Sequence, residues 1–290
     1  MGRKIEAEFE EKEFESQINS AIKEKHNFIY APGQVFEKII GIDAAYFSEN
    51  EVLWQILSGG VDAIFPLQRV PGGILLNPTY WDNIEIPLDR LPPFQLNLFL
   101  QHKRPTYLSD ARSSEWSFWK RPYYRYHLRA HQQLALEKLA AIAKNEALVG
   151  YACPAFHTYR ELWERIKLDS IISSTNFVNA EKLSGHDAYT YVDAGIKGAA
   201  CSEPIEVEGF DFINELSRRS DFSLDMSNSQ IVIRLGKFVD TALKEAGLQE
   251  RYQIMLSLAS DDIAGVGLAL IKISAFCQIT NSRWMIGLKL

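Results

Sequence analysis

The chain has little cysteine: Cys153, Cys201 and Cys277 lie far apart and in no CxxC spacing. That argues against a disulfide framework and a thiolate zinc site, and it fits a reducing cytoplasm. Long apolar runs are also missing. The longest, Ile263 to Cys277, is interrupted by Lys272 and falls short of the roughly 20 residues that span a bilayer. It reads as a buried helix, and no membrane partner is expected. The opening MGRKIEAEFEEKEFES contains no apolar segment of signal-peptide length, so secretion is not expected. No HExxH, GxSxG, Walker or Rossmann spacing occurs, and Gly59-Gly60 and Gly72-Gly73 are turn glycines rather than a phosphate loop. An excess of positive charge is lacking too. A formal net charge of −6 argues against a protein whose whole surface binds nucleic acid. There is no internal repeat and no low-complexity run.

What is present is the composition of a folded protein, 47% hydrophobic and 23% charged. Phe9, Phe14, Ile18, Ala21 and Ile22 recur at helical spacing between Ala7 and Lys25. Ile39 to Phe47 reads as a strand entered just before Asp43. Val52 to Pro93 is rich in Gly, Pro and turn residues and reads as an insertion over about 52–93. Leu96 to Lys103 (LNLFLQHK) has strand composition and stops at Pro105. Period two puts Phe99, Gln101 and Lys103 on one face and Leu98, Leu100 and His102 on the other. His131 to Lys144 is an amphipathic helix, Leu148 to Phe156 a buried strand and Tyr159 to Ile172 a helix. Short strands follow at Tyr189 to Val192 and Gly198 to Cys201, then helices at Ile231 to Ala246 and Arg251 to Phe276. The expected fold is α/β, a mixed sheet flanked by helices over residues 1–204, with a helical C-terminal subdomain over 205–290.

Hydrolysing a phosphodiester needs a divalent cation to activate water and a positive group to steady the charge that builds at phosphorus. Oxygen donors bind Mg²⁺. A carboxylate on one strand, an oxygen donor on its neighbour and a lysine two residues later supply this set as Asp43, Gln101 and Lys103. Gly41-Ile42-Asp43 and Gln101-His102-Lys103 resemble the GxD…QxK motif of the Mrr-like branch of the PD-(D/E)XK, restriction-endonuclease-like superfamily. The resemblance implies a Mg²⁺- or Mn²⁺-dependent endonuclease acting on DNA, in defence against foreign DNA or in repair. It makes Asp43, the Gln101 amide oxygen and the His102 carbonyl metal ligands. Lys103 would position water or stabilise the transition state, and a glutamate of the first helix would complete the shell. Glu15 is the first choice, with Glu8, Glu13 and Glu37 as alternatives. FLQHKRPTYL, YYRYHL, HQQLAL and ACPAFHTYREL are also similar to a bacterial family with FLQxK and PAFHT-like segments, over roughly residues 13–205. That second resemblance implies no activity.

A basic island lies between Gln101 and His131: Lys103, Arg104, Arg112, Lys120, Arg121, Arg125 and Arg129 stand against Asp110 and Glu115. Interleaved aromatics in WSFWKRPYYRYHLRAH suit phosphate contact with base stacking, and Arg104, Lys120, Arg121, Tyr124, Arg125 and Arg129 are the candidate contacts. A hairpin whose aromatics fill the core and whose arginines snorkel has the same pattern. His131, Gln132 and Gln133 could flank the site or only cap a helix, and His157 could face it or be structural. Two other readings fit the sequence: an inactive module on the same fold that binds nucleic acid or a protein, and an assembly protein acting through its C-terminal helices. A homodimer or a defence-system partner protein is compatible with each.

Overall fold

The computed structural model describes residues 4–26, 28–30, 69–70, 73–74, 88–90, 92–220, 226–257 and 264–288. The fold is mixed α/β, as expected. Its centre is a five-stranded sheet in the order β2-β13-β5-β8-β9. These strands are β2 (Phe28–Tyr30), β5 (Phe94–His102), β8 (Ala147–Pro154), β9 (Thr175–Asn179) and β13 (Arg283–Leu288). Only β5 and β8 run parallel; the other neighbours are antiparallel. A second, six-stranded antiparallel sheet has the order β1-β6-β7-β10-β11-β12. Its strands are β1 (Lys4–Glu6), β6 (Thr106–Leu108), β7 (Tyr123–His127), β10 (Ala188–Tyr191), β11 (Lys197–Cys201) and β12 (Pro204–Glu208). The remaining pair, β3 (Arg69–Val70) and β4 (Gly73–Ile74), belongs to the expected insertion, most of which lies outside the described residues.

The two faces of β5 meet two cores, as its period-two pattern requires. Leu96, Leu98 and Leu100 pack with Phe14, Ile18 and Ile22. These three come from helix α1 (Glu11–His26), whose first turn is acidic and last turn basic, matching its dipole. Phe99 faces the other way, into a core shared by Leu136 and Leu139 of α3 (Ala130–Ala143), which follows the one-turn helix α2 (Trp116–Trp119). That core also takes Tyr126, Tyr189 and Tyr191 from the second sheet.

The expected division at residue 205 is not a division of cores. After α4 (Tyr159–Lys167) and α5 (Phe212–Ser220) come α6 (Asn228–Glu245), α7 (Gln249–Leu256) and α8 (Gly265–Thr280). Ile231, Leu235, Val239, Leu270, Ile273 and Phe276 of α6 and α8 lie in the same core as Phe99 and Leu136. The chain then ends in β13, which enters the central sheet between β2 and β5. Trp284 fixes its register. It pairs with Phe99, stacks on that ring at 6.2 Å and donates from Nε1 to Asn97 Oδ1 at 3.1 Å. The sequence missed this because a six-residue strand far from its partner carries no local sign of where it pairs. Among the described residues no helix is long and apolar enough to cross a membrane.

If residues 264–288 complete one shared core, Trp284→Ala removes a large buried ring and leaves Asn97 without its donor. The expected loss is about 3–5 kcal/mol, read by urea denaturation as a single transition for the whole chain. A separate low-stability transition with the rest unchanged would restore an independent C-terminal subdomain.

Candidate active site

Gln101 and Lys103 share a face of β5, as the sequence indicated, and both are buried. The Gln101 amide donates from Nε2 to Gln132 Oε1 at 2.8 Å and to the Thr280 carbonyl at 2.6 Å. A carbonyl only accepts, so the amide nitrogen must face Thr280. Oε1 of Gln101 is then left buried without a hydrogen-bond partner. Gln132 in turn donates to the Ile279 carbonyl, and Gln133 joins the Tyr151 hydroxyl to the Ala180 carbonyl. Both glutamines are therefore buried connectors, whereas His131 beside them is exposed.

The Lys103 ammonium lies 5.5 Å from the centre of the Tyr151 ring. Burial lowers its pKa, Glu11 opposes that shift, and Arg129 adds to it. Glu11 is the glutamate of α1 most closely tied to this lysine. Burial raises its pKa, against the lowering effects of Lys103 and of an Asn281 side-chain amide that donates to it at 2.8 Å. The sequence reading passed over Glu11, although it lies one turn before Glu15 on the same helix.

Glu15 is buried, but on the opposite face of the sheet from Gln101 and Lys103. Its carboxylate accepts from Lys12 at 2.8 Å and from Arg283 of β13, and stands 3.9 Å from His102 Nδ1. Burial raises its pKa, yet the cations Arg283 and Lys12 beside it lower it and the net shift is downward. Glu15 is thus a charge clamp between α1 and β13 rather than a free ligand. The His102 imidazole is wholly inside, edge-on to Phe14, with neither ring nitrogen hydrogen-bonded. Of the alternatives, Glu8 caps Tyr159 N at 2.8 Å and Glu13 accepts from the Tyr159 hydroxyl. Glu37 and Asp43, with the whole GxD segment, lie outside the described residues. Among the described strands, the neighbours of β5 are β13 and β8.

Much of the basic island is matched by acids. Arg104 pairs with Glu10, Arg112 with Asp110, Arg121 with Asp193 and Arg125 with Glu115. Glu115 also accepts from the Tyr123 hydroxyl, which makes Arg125 part of a half-buried network. Tyr124 is buried and packs against Tyr107 and Tyr191, so its ring offers no platform for a base. Lys120 and Arg129 are exposed and have no ion pair among the described residues. His157 stacks on Tyr107 at 4.3 Å, the structural role. The hairpin alternative accounts for the aromatics.

No group of three or more His, Cys, Asp or Glu suited to a metal ion occurs among the described residues. In comparison with known proteins, the chain matches no family model, no curated protein and no solved structure.

Burial pushes the His102 pKa from 6.5 down to about 4, although Glu15 pulls it up. Between these values the unfolded chain binds the proton and the folded one does not. This imidazole therefore contributes a stability that is present above pH 6.5 and is lost as pH falls toward 4, about 3 kcal/mol in all. His102→Phe, beside Phe14, is expected to flatten the denaturation midpoint against pH over that window. Equal slopes in the two proteins would mean that His102 is not held neutral.

Proposed function

We propose that the C-terminal end of β5 is the reaction centre of a metal-dependent endonuclease hydrolysing phosphodiester bonds of DNA. The observation that carries this reading is the Oε1 atom of Gln101, a buried acceptor with no partner, two residues before a buried lysine. Buried polar atoms without partners are uncommon and call for a reason. A hard cation such as Mg²⁺ or Mn²⁺ supplies one. The Gln101 amide oxygen is a donor such a cation accepts, and Asp43 is the carboxylate that the sequence pattern offers. When bound, the cation polarises the phosphate and lowers the pKa of the attacking water.

The chain's own groups have separate tasks. Gln132 and the Thr280 carbonyl hold the Gln101 amide by its nitrogen, fixing the direction of Oε1. Lys103, in a site poor in water, brings positive charge to the phosphorus centre, where low polarity strengthens it. The order α1, β5, α3 and a β8 parallel to β5 supports the resemblance to the GxD…QxK nucleases. A cytoplasmic role in defence against foreign DNA or in repair follows from that resemblance alone.

A second reading, a silent module binding nucleic acid or a protein, is favoured by two features. Glu15 is engaged by Arg283 and Lys12, and no group of three or more His, Cys, Asp or Glu suited to a metal ion occurs among the described residues. The third, an assembly protein acting through C-terminal helices, has less support because α6 and α8 spend their apolar faces on the common core.

Plasmid and single-stranded DNA incubated with the protein in Mg²⁺, Mn²⁺ or EDTA separate these readings. Cleavage is expected with the ions and not with EDTA. Lys103→Ala is expected to slow single-turnover cleavage by about 10²–10³, as for the loss of one preorganised donor. Gln101→Glu, which adds a charge at the ion, should keep or raise activity. No cleavage under any ion gives precedence to the silent module.

A further inference from the structure

Helices α1 and α4 both pack onto the core that contains Phe14, Ile18 and Leu162, and a cavity of about 310 Å³ opens between them. It is lined by Lys12, Glu13, Ser16 and Gln17 of α1 and by Leu162 and Trp163 of α4. The reaction centre proposed above uses none of these residues. Trp163 is 59% exposed, whereas the other described tryptophans are half-buried or buried. An indole left open to water beside a cavity offers a flat apolar surface to a second ring. Gln17 is an independent feature of the same lining. It is half-buried, and its side-chain amide has no hydrogen-bond partner among the described residues. A primary amide presents donor and acceptor side by side. The other polar members are engaged. Lys12 pairs with Glu15 at 2.8 Å, Glu13 accepts from the Tyr159 hydroxyl at 2.8 Å and from the Glu10 N–H at 2.7 Å, and Ser16 has a partner as well.

Charge decides the class of ligand. The one cation of the lining already meets a carboxylate, and Glu13 is a second acid beside it, so an anion finds no unmatched positive charge there. A neutral ring finds both a face to stack on and an amide to bond its edge. The volume stands near the lower end for ligand cavities, roughly 300–1,000 Å³, which suits one ring system rather than an extended molecule. We propose that this cavity binds a nucleobase, stacked on Trp163 and bonded at its edge by Gln17, with adenine preferred. Adenine presents a donor and an acceptor side by side, its N6 amino group and N7, and these match a glutamine amide. Stacking tolerates any base, because each has a π-face; the amide supplies the preference. That the base belongs to a strand under cleavage rests on the nuclease reading; the site itself does not.

The test follows the Trp163 indole N–H signal, identified as the one missing from Trp163→Ala, in ¹⁵N-labelled protein kept in EDTA. Adenosine should shift it saturably, uridine with about tenfold lower affinity, and methyl riboside not at all. Trp163→Ala should weaken adenosine binding about tenfold or more, read at the Gln17 side-chain amide, with the urea midpoint unchanged because the ring is exposed. Gln17→Ala should keep the stacking and lose the preference for adenosine over uridine. Tighter binding of a single-stranded deoxyadenosine hexamer than of adenosine identifies a nucleic-acid base as the source. Equal or weaker binding identifies a free nucleoside, and either supports the site. No saturable shift with adenosine, a preference that survives Gln17→Ala, or an equal response to methyl riboside overturns it. Cleavage without the shifts would sink the base site alone, whereas the shifts without cleavage under any divalent ion would sink the nuclease reading alone.

Discussion

A strand that is covered on both faces and hydrogen-bonded along both edges has no access to water, so each polar side chain it carries must be met by the protein. β5 is such a strand, between β13 and β8 and between two apolar cores, and it carries Asn97, Gln101 and His102, with Lys103 just after it, all buried. Near its beginning the need is satisfied. Asn97 donates to the Glu146 carbonyl and accepts from Trp284. Toward its end it is not: Gln101 Oε1 and both His102 ring nitrogens lack partners. An unmet buried polar group costs about 1–3 kcal/mol, and such costs fall on both faces of this strand end.

The second consequence is a separation of charge across the sheet. On the α1 side, Glu15 and Arg283 neutralise each other beside a neutral imidazole and tie the first helix to the last strand. On the α3 side, Lys103 and Arg129 have no ion pair in contact, and Glu11 reaches Lys103 only electrostatically. One side is a fastening and the other is chemically open. The chain's acidic total hides this, because matched pairs such as Arg104 with Glu10 and Arg125 with Glu115 consume much of the basic island.

How much of this could be read beforehand follows from the range of the interactions. The faces of β5, the helix α1 and the β5-α3-β8 succession are local patterns, and periodicity disclosed them. The choice between Glu11 and Glu15 is different. Four residues apart on one helix, they share a side, and nothing near them in sequence distinguishes them. Arg283 makes the distinction from 268 residues away. Trp284 and Asn97 likewise meet across 187 positions, which is why the C-terminal third read as a separate unit. In the stretch around Tyr124, alternation of aromatics and cations suits a nucleic-acid surface and a buried hairpin equally. Only the tertiary partners, Tyr107, Tyr191 and Glu115, decide for the hairpin.

The central claim is that the end of β5 on its α3 side holds a divalent cation through Gln101. Paramagnetic relaxation by Mn²⁺ tests it without reference to activity. In ¹⁵N-labelled protein, substoichiometric Mn²⁺ should broaden the side-chain amide signals of Gln101 and Gln132 first, an effect reversed by excess Mg²⁺. The exposed indole of Trp163 should stay sharp. Broadening elsewhere, with the Gln101 amide untouched at saturating ion, would contradict the account.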